Sequence, residues 1–366
     1  MNDHAFMAEA VRLAKKGLYV VRVNPRVGCV IVKDGRIISR GFHASLGQNH
    51  AEIDALENST ENAENSTVYV TLEPCSHEGR TPPCVKSLVD AGVMRVVAAV
   101  QDPNPRVNGR GLTYLSQHGV QVRCDVLKEE AMELNKGFFL RMQKGRPHVT
   151  VKVAVSLDGK TALANGISKW ISGEPARLDV QKLRARSCAI MSGIGTVLAD
   201  DPMFTVRIAK EQLDLESEPQ QPLRVILDTN LIVPEAAKVL HGPGKTVIYT
   251  CSADPQKIER LRSKNVEIAV MEQDSLDLAE VLHDLAAREI NEVLVEAGSR
   301  LTGSLLGKGL VDEMVVYMAP HIIGESGHGL ARLPLITDMR NRLAMQIEDI
   351  SVIGEDIKLR FRPTST

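Results

Sequence analysis

The chain is poor in aromatic residues: one Trp, five Tyr and six Phe make up 3% of its 366 residues. Proteins that hold single-stranded nucleic acid stack bases on such rings, which counts against that class of ligand. Nor is there a surplus of positive charge to track a phosphate backbone, since Lys plus Arg number 44 against 46 Asp plus Glu, a formal net charge of −2. No apolar run approaches the roughly 18 residues of a membrane span. The opening Met1-Asn2-Asp3-His4 has neither the basic flank nor the apolar stretch of a secretory signal. These readings predict a cytoplasmic protein bound to neither membrane nor nucleic acid. Six cysteines in a chain of this length read as buried thiols or metal ligands and not as a disulfide framework. A Gly-x-Gly-x-x-Gly fingerprint and a Walker lysine motif are also missing.

What is present is a globular composition, 43% hydrophobic and 25% charged, over a length that predicts two domains of roughly 150 to 200 residues. Phe6, Met7, Ala10, Val11, Leu13 and Ala14 share one face of a helix from about Asp3 to Lys16, with Gly17 as its stop. Val27 to Val32 reads as a strand, and Asp34-Gly35 as the hairpin turn onto Arg36 to Phe42. A helix over about His50 to Asn58, a strand over Val68 to Leu72, a helix from Cys84 to Ala91 and a strand over Val93 to Val100 follow. Helices at about Leu112 to Gln117 and Glu129 to Met142 surround a strand near Val120. Gly145-Arg146-Pro147 breaks the pattern, which places one domain at 1–145 and a second at 146–366. The second restarts with a strand from Val149 to Val155 and a helix from Glu174 to Arg186. Strands at Ala189 to Met191, Arg224 to Leu227, Thr246 to Tyr249 and Glu292 to Val295 alternate with helices at Leu276 to Arg288 and Leu301 to Gly307. Glu313 to Ala319 and Ile357 to Phe361 read as a β-rich end, and the polar stretch Lys210 to Gln221 as a surface insertion. Alternation of this kind predicts α/β layers in both halves.

One constellation carries chemistry directly: His50-Ala51-Glu52, then Pro74-Cys75, then Cys84. Zinc favours imidazole nitrogen and thiolate sulfur, and a catalytic zinc site uses three protein ligands with the fourth position open to water. His50, Cys75 and Cys84 supply that count and leave Glu52 over as a general acid/base beside the water. A His-x-Glu followed by Pro-Cys is the pattern of zinc nucleobase deaminases. Two features stand against a simple match. Residues two apart do not share a face of a continuous helix, so His50 must stand at the very start of its helix. The cysteines are also separated by Ser76 to Pro83, longer than Cys-x-x-Cys. A closed structural site would need a fourth ligand, for which His77 is the candidate, and would leave Glu52 without a role. Cys29, Cys124, Cys188 and Cys251 stand alone and read as core or surface thiols.

Pro74-Cys75-Ser76-His77-Glu78-Gly79-Arg80-Thr81-Pro82-Pro83-Cys84, with Asn24-Pro25-Arg26-Val27-Gly28, His50-Ala51-Glu52, Asp102-Pro103-Asn104-Pro105 and Gly109-Arg110-Gly111, resembles the deaminase half of the bifunctional riboflavin-biosynthesis deaminase/reductases. The long inter-cysteine segment is a marker of that group. The resemblance implies a cytidine-deaminase-like three-layer α/β/α domain and a diaminohydroxypyrimidine carrying a phosphoribosylamino group as substrate. Carried over by position, Asn24, His43, His77, Arg80, Asp102 and Asn104 line the substrate pocket. Arg80 suits the phosphate through its fork of donors.

The second half is less explicit. Ser156-Leu157-Asp158-Gly159-Lys160, Gly193-Ile194-Gly195-Thr196 and the strand-to-helix turn at Glu296-Ala297-Gly298 read, on their own, as an α/β domain with backbone N–H groups suited to an anion. Ser156-Leu157-Asp158-Gly159, Trp170-Ile171, Thr196-Val197-Leu198-Ala199-Asp200-Asp201-Pro202 and Glu296-Ala297-Gly298 resemble the reductase half of the same family. That implies a dihydrofolate-reductase-like α/β fold and NADPH as cofactor. The implied cofactor contacts are Ala154, Trp170, Thr196, Asp200 and the turn Gly298, Ser299, Arg300, Leu301, Thr302, Gly303 and Ser304. The implied substrate contacts are Ser168, Arg184, Phe204, Arg207 and Glu296. Arg184 and Arg207 could equally be solvated surface charges, and Trp170 a core aromatic, although its polar Ser168-Lys169-Trp170 setting argues otherwise. Family members tend to form homo-oligomers, a dimer first among them. Three rival readings remain: a zinc deaminase of another free nucleoside or nucleotide, a nucleic-acid deaminase, and a zinc-stapled regulatory protein.

Overall fold

The structure is a computed structural model describing residues 2–45, 47–76, 83–264 and 266–364. It separates into two compact units, Met1–Arg146 and Pro147–Thr366. In the first, elements run α1 (Asp3–Ala14), β1 (Gly28–Lys33), β2 (Arg36–Phe42), α2 (Ala51–Glu57), β3 (Thr67–Val70), α3 (Cys84–Asp90), β4 (Arg95–Ala98), α4 (Arg110–Gln117), β5 (Gln121–Arg123), α5 (Lys128–Leu134) and α6 (Lys136–Lys144). The sheet order is β2-β1-β3-β4-β5, antiparallel through β2, β1 and β3 and parallel from β3 onward.

Strand periodicity explains the three layers. In β1, Val30 and Val32 pack with Phe6, Met7, Ala10 and Leu13 of α1 and with Phe138 and Phe139 of α6. Their neighbours Cys29 and Ile31 point the other way, onto Ala51 and Ala55 of α2, Val85 and Leu88 of α3 and Leu115 of α4. The region expected as one helix, Glu129 to Met142, is two. Asn135 is buried between α5 and α6, where its side chain accepts from Arg26 N at 2.7 Å and donates to Arg26 O at 2.9 Å. That paired amide holds residue 135 out of the helical ladder.

The second unit runs β6 (His148–Ser156), β7 (Lys160–Ala162), α7 (Glu174–Arg186), β8 (Ala189–Gly193), α8 (Ile194–Asp200), β9 (Leu223–Leu227), β10 (Thr246–Thr250), α9 (Pro255–Arg262), β11 (Val266–Val270), α10 (Leu278–Ala287), β12 (Glu292–Val295), α11 (Ser299–Gly307), β13 (Glu313–Ala319), β14 (His328–Gly329), β15 (Met345–Ile353) and β16 (Asp356–Pro363). Its nine-stranded sheet has the order β11-β10-β9-β8-β12-β6-β13-β16-β15, parallel from β11 to β13 and antiparallel at the β13–β16 and β16–β15 pairings of one edge. Leu278, Val281, Leu282 and Leu285 of α10 and Leu305 of α11 cover one face. Val197 of α8 and Leu261 of α9 cover the other, and α7 lies there through Ala176 and Val180. The helix α9, the strand β11, the exposed edge strand β15 and the short strands β7 and β14 escape the sequence pattern. The stretch expected as a surface insertion holds a short 3-10 turn, Lys210–Leu213, that buries Leu213.

An ion cluster ties α1 to the first sheet. Asp3 receives Arg95 at 2.9 and 2.7 Å, Arg123 at 2.6 Å and the Tyr69 hydroxyl at 2.8 Å. The Arg95 hydrogen bonds outweigh burial and hold the Asp3 carboxyl well below the usual carboxylate range. Its folded pKa thus lies under the unfolded value of about 3.9, so the cluster stabilises above that pH and the contribution is lost as pH falls. Thermal melts of the first unit between about pH 5 and pH 2 should show Asp3→Asn losing less stability on acidification than the parent. Equal slopes for the two proteins would count against the cluster.

Candidate functional site

His50 stands one residue ahead of α2 with φ −66° and ψ 158°, an extended backbone, so its side chain is not bound to the helical spacing. Gly41 of β2 lets α2 lie this close: a Cβ there would fall 2.3 Å from Ala51 O. Cys75 follows β3 across the loop at 71–76, and Cys84 opens α3. His50 Nδ1 lies 3.2 Å from Cys84 Sγ and 3.5 Å from Cys75 Sγ, with all donor atoms within 4.8 Å of one another. A tetrahedral zinc with bonds of about 2.3 Å to sulfur and about 2.0 Å to nitrogen separates its donors by about 3.6 Å. Donor chemistry and spacing therefore both fit that ion. The Cys75 sulfur accepts the Cys84 backbone N–H at 3.4 Å. Hydrogen bonds from the Cys84 thiol and from His50 pull the Cys75 thiol down despite burial. His50 is pulled up by the same Cys75 sulfur.

Glu52 is 4% exposed and points toward the cluster. Burial and the negative charge of Cys75 push its carboxyl up to about 7, against the pull of His50 and a hydrogen bond with Cys84. Around it, Asn24 Nδ2 donates to His43 Nε2 at 3.0 Å, so the His43 Nδ1–H donates to Asn49 O, also at 3.0 Å. That pairing fixes a neutral imidazole, and burial lowers its pKa further. The His43 ring meets the His50 ring edge-on, centroids 5.7 Å apart. Asp102 is buried too, and burial raises it to about 6 even though its Oδ1 accepts from Asn104 N at 2.8 Å. The sequence-predicted His77 and Arg80 lie outside the described residues.

The second unit contains a cavity of about 2370 Å³. Ala154, Ser168, Trp170, Arg184, Thr196, Asp200, Phe204, Arg207 and Glu296 line it, together with Gly298, Ser299, Arg300, Leu301 and Ser304 of the α11 turn. Thr302 and Gly303 do not. Thr302 is fully buried, and a Cβ on Gly303 would fall 2.0 Å from Arg332 O, so both face the protein interior. Trp170 is no core residue: it is 70% exposed, with the Arg177 guanidinium 4.6 Å from its ring centre. Arg184 is no solvated surface charge either. Its fork grips Glu296 at 2.6 and 2.9 Å, and its third nitrogen donates to Thr205 O at 3.1 Å. Burial pushes Glu296 up, but the charges of Arg184 and Lys152 outweigh it and keep the carboxylate ionised. Phe204 and Asp201 hold φ of 49° and 42° in the same lining loop, a left-handed backbone that non-glycine residues adopt at a cost.

Lys152, Arg177 and Glu73 were not singled out by sequence reasoning. Lys152 had a legible signal. In β6 the residues Val149, Val151, Val153 and Val155 face the α10–α11 core, which turns Lys152 and Ala154 to the opposite side. There Lys152 Nζ lies 3.9 Å from Glu296 Oε2, and burial lowers its pKa.

Together, fold and site define an enzyme whose first unit is of the zinc-binding deaminase class, continued in one chain by a second α/β unit with its own deep cavity. Residues 1–100 match the cytidine and deoxycytidylate deaminase zinc-binding region, and residues 147–359 match the RibD C-terminal domain. The riboflavin biosynthesis protein RibD of Haemophilus influenzae is 44% identical over 99% of this chain and 98% of its own length. That of Escherichia coli is 44% identical over 99% of both. A solved structure of Acinetobacter baumannii RibD superposes with a TM-score of 0.91 at 41% identity, covering 99% of each chain. The Thermotoga maritima diaminohydroxyphosphoribosylaminopyrimidine deaminase/5-amino-6-(5-phosphoribosylamino)uracil reductase gives 0.87 at 33%, again over 99% of each. The chain belongs to the RibD family of bifunctional deaminase/reductases of riboflavin biosynthesis.

Removing one partner of a buried ion pair costs about 3–5 kcal/mol when the other charge is left uncompensated. With Lys152 still 3.9 Å from Glu296, Arg184→Met should destabilise the second unit by about 2–4 kcal/mol in urea, followed by hydrogen exchange in β8 and β12. A loss under about 1 kcal/mol would reduce the Arg184–Glu296 pair to the standing of a surface salt bridge.

Proposed function

We propose that the first unit hydrolytically deaminates 2,5-diamino-6-(5-phosphoribosylamino)pyrimidin-4-one, and that the second reduces the resulting 5-amino-6-(5-phosphoribosylamino)uracil with NADPH, turning the ribosyl group into a ribityl chain. The observation that carries the reading is the carboxylate of Glu52, buried beside a three-ligand zinc set yet outside it. A structural zinc site closes with a fourth protein ligand; none of the described residues joins His50, Cys75 and Cys84.

Zinc, when bound by these three residues, supplies the Lewis acidity that makes water nucleophilic near neutral pH. Glu52 takes a proton from the attacking water and returns it to the departing amine, so that an amidine and water become an amide and ammonia. A carboxyl whose surroundings raise its pKa toward neutrality suits both transfers. Asn24, Asp102 and Asn104, with neutral His43 behind Asn24, are the groups that hold the pyrimidine and ribose edges; His77 and Arg80 belong to the same reading.

In the second unit the cavity exceeds the roughly 300–1,000 Å³ of an ordinary single-ligand pocket, which suits a cofactor and a substrate together. NADPH, when bound, supplies the hydride. Ala154, Trp170, Thr196, Asp200 and the turn at 298–301 with Ser304 form the cofactor side. Ser168, Phe204, Arg207 and the Arg184–Glu296 pair form the substrate side, where their task is positioning.

We further infer a homodimer. Ile347, Ile350 and Val352 of edge strand β15 are 54–75% exposed beside Ile357 of β16, an apolar edge that a second copy would cover. A reducing compartment, the cytoplasm, suits six unpaired cysteines. Among the described residues, no helix is long and apolar enough to cross a membrane.

Glu52→Gln should lower deamination kcat by about 10²–10⁴-fold with bound zinc and reduction of pre-deaminated substrate unchanged. Stripping the metal with a chelator should stop deamination and spare reduction. Full deaminase activity in Glu52→Gln would sink the assignment.

A further inference from the structure

Glu73 lies two residues before Cys75, 3% exposed, and among the described residues its side-chain hydrogen bonds come from backbone N–H groups. Its backbone N–H donates to Val100 O at 2.9 Å, which anchors residue 73 beside the exit of β4. The side chain then collects four backbone donors from the following loop. Oε2 accepts from Asp102 N at 3.1 Å and Gly109 N at 2.9 Å; Oε1 accepts from Gly111 N at 2.8 Å and Leu112 N at 3.3 Å.

The second pair of donors is the open first turn of α4, whose preceding residue, Gly109, has φ 85° and no side chain to cap it. A carboxylate from elsewhere in the chain thus does what a capping Ser or Asp would do, and its charge suits the positive end of the helix. The loop between is folded by its own acceptors: Asp102 Oδ1 takes Asn104 N at 2.8 Å, and Asn104 Oδ1 takes Arg106 N at 3.1 Å. The closure is tight on the metal side as well, because a Cβ on Gly111 would fall 2.1 Å from Pro74 O. One side chain therefore binds both ends of the segment 102–112, and it is joined through Pro74 to a metal ligand.

We propose that Glu73 is a positioning residue for the deamination, fixing where the loop presents Asp102 and Asn104 and thereby how tightly substrate is held. This rests on the assignment of Asp102 and Asn104 as substrate contacts. A side chain that only supported the fold would act on stability and leave the Michaelis constant alone. A side chain that aims the substrate loop acts on KM.

The test uses the full chain, with the diaminopyrimidine ribotide as substrate, zinc content by metal analysis, and reduction of pre-deaminated substrate as an internal control. Glu73→Gln replaces one acceptor oxygen by a donor, turning an NH₂ group toward two backbone N–H groups. It should raise the deaminase KM by at least about tenfold, more than it lowers kcat, with zinc and reduction unchanged. Glu73→Asp should fall between it and the parent. Should Glu73→Gln fail to fold, Glu73→Asp carries the comparison, since it keeps the charge. A KM within about twofold of the parent overturns the proposal, and so does a loss of activity that follows a loss of zinc. Asn104→Ala separates the proposal from the assignment beneath it. If Asn104→Ala raises KM and Glu73→Gln does not, only the positioning role falls; if Asn104→Ala leaves KM unchanged, the substrate assignment falls and the positioning role with it.

Discussion

The extended backbone of His50, one residue short of a helix, is what allows the deaminase site to exist. A histidine and a glutamate two apart on a regular helix would point about 200° away from each other, at roughly 100° per residue. With His50 outside the helix and Glu52 in its first turn, imidazole and carboxylate both reach Cys84. The rest of the unit is arranged around that start. Gly41 lets the helix approach the sheet, β3 carries Cys75 to the same end, and Cys84 arrives at the beginning of another helix, its backbone N–H turned to the Cys75 sulfur. Backbone donors at helix starts favour anions, and the two thiolates that zinc needs lie at just such a place.

The second unit solves a different problem. Its cavity is lined by fixed charge, and Glu296 is kept ionised by a two-pronged arginine and a nearby lysine. Such a pair adds little net stability compared with apolar packing, which agrees with the substrate-positioning role proposed for it at the cavity wall. The left-handed residues Asp201 and Phe204 on the lining loop fit the same account, since backbone strain gathers where a fold is shaped for a ligand.

Much of this was legible in the residues. Strand alternation in Cys29 to Val32 and Val149 to Val155 marks the sheets, and the His-x-Glu and two-cysteine pattern marks the metal centre before any fold is known. What escaped has physical causes. Asn135 splits a helix through a pairing with Arg26, 109 positions away, which no local pattern reveals. Strand β15 mixes exposed apolar and acidic residues with no buried face, so its period-2 signal is missing. Glu73 looks like an ordinary charge between a strand and a Pro-Cys; its four partners come from a loop and the helix start after it, 29 to 39 residues further on. Thr302 and Gly303 turn inward, which a motif carried over as a block does not reveal.

The most direct test is a mass-resolved product assay on the diaminopyrimidine ribotide, run with and without NADPH on zinc-loaded protein. Two sites acting in sequence predict deaminated product alone when NADPH is withheld, and product both deaminated and reduced when it is supplied. Substrate left untouched in both reactions, with zinc bound, would contradict the account.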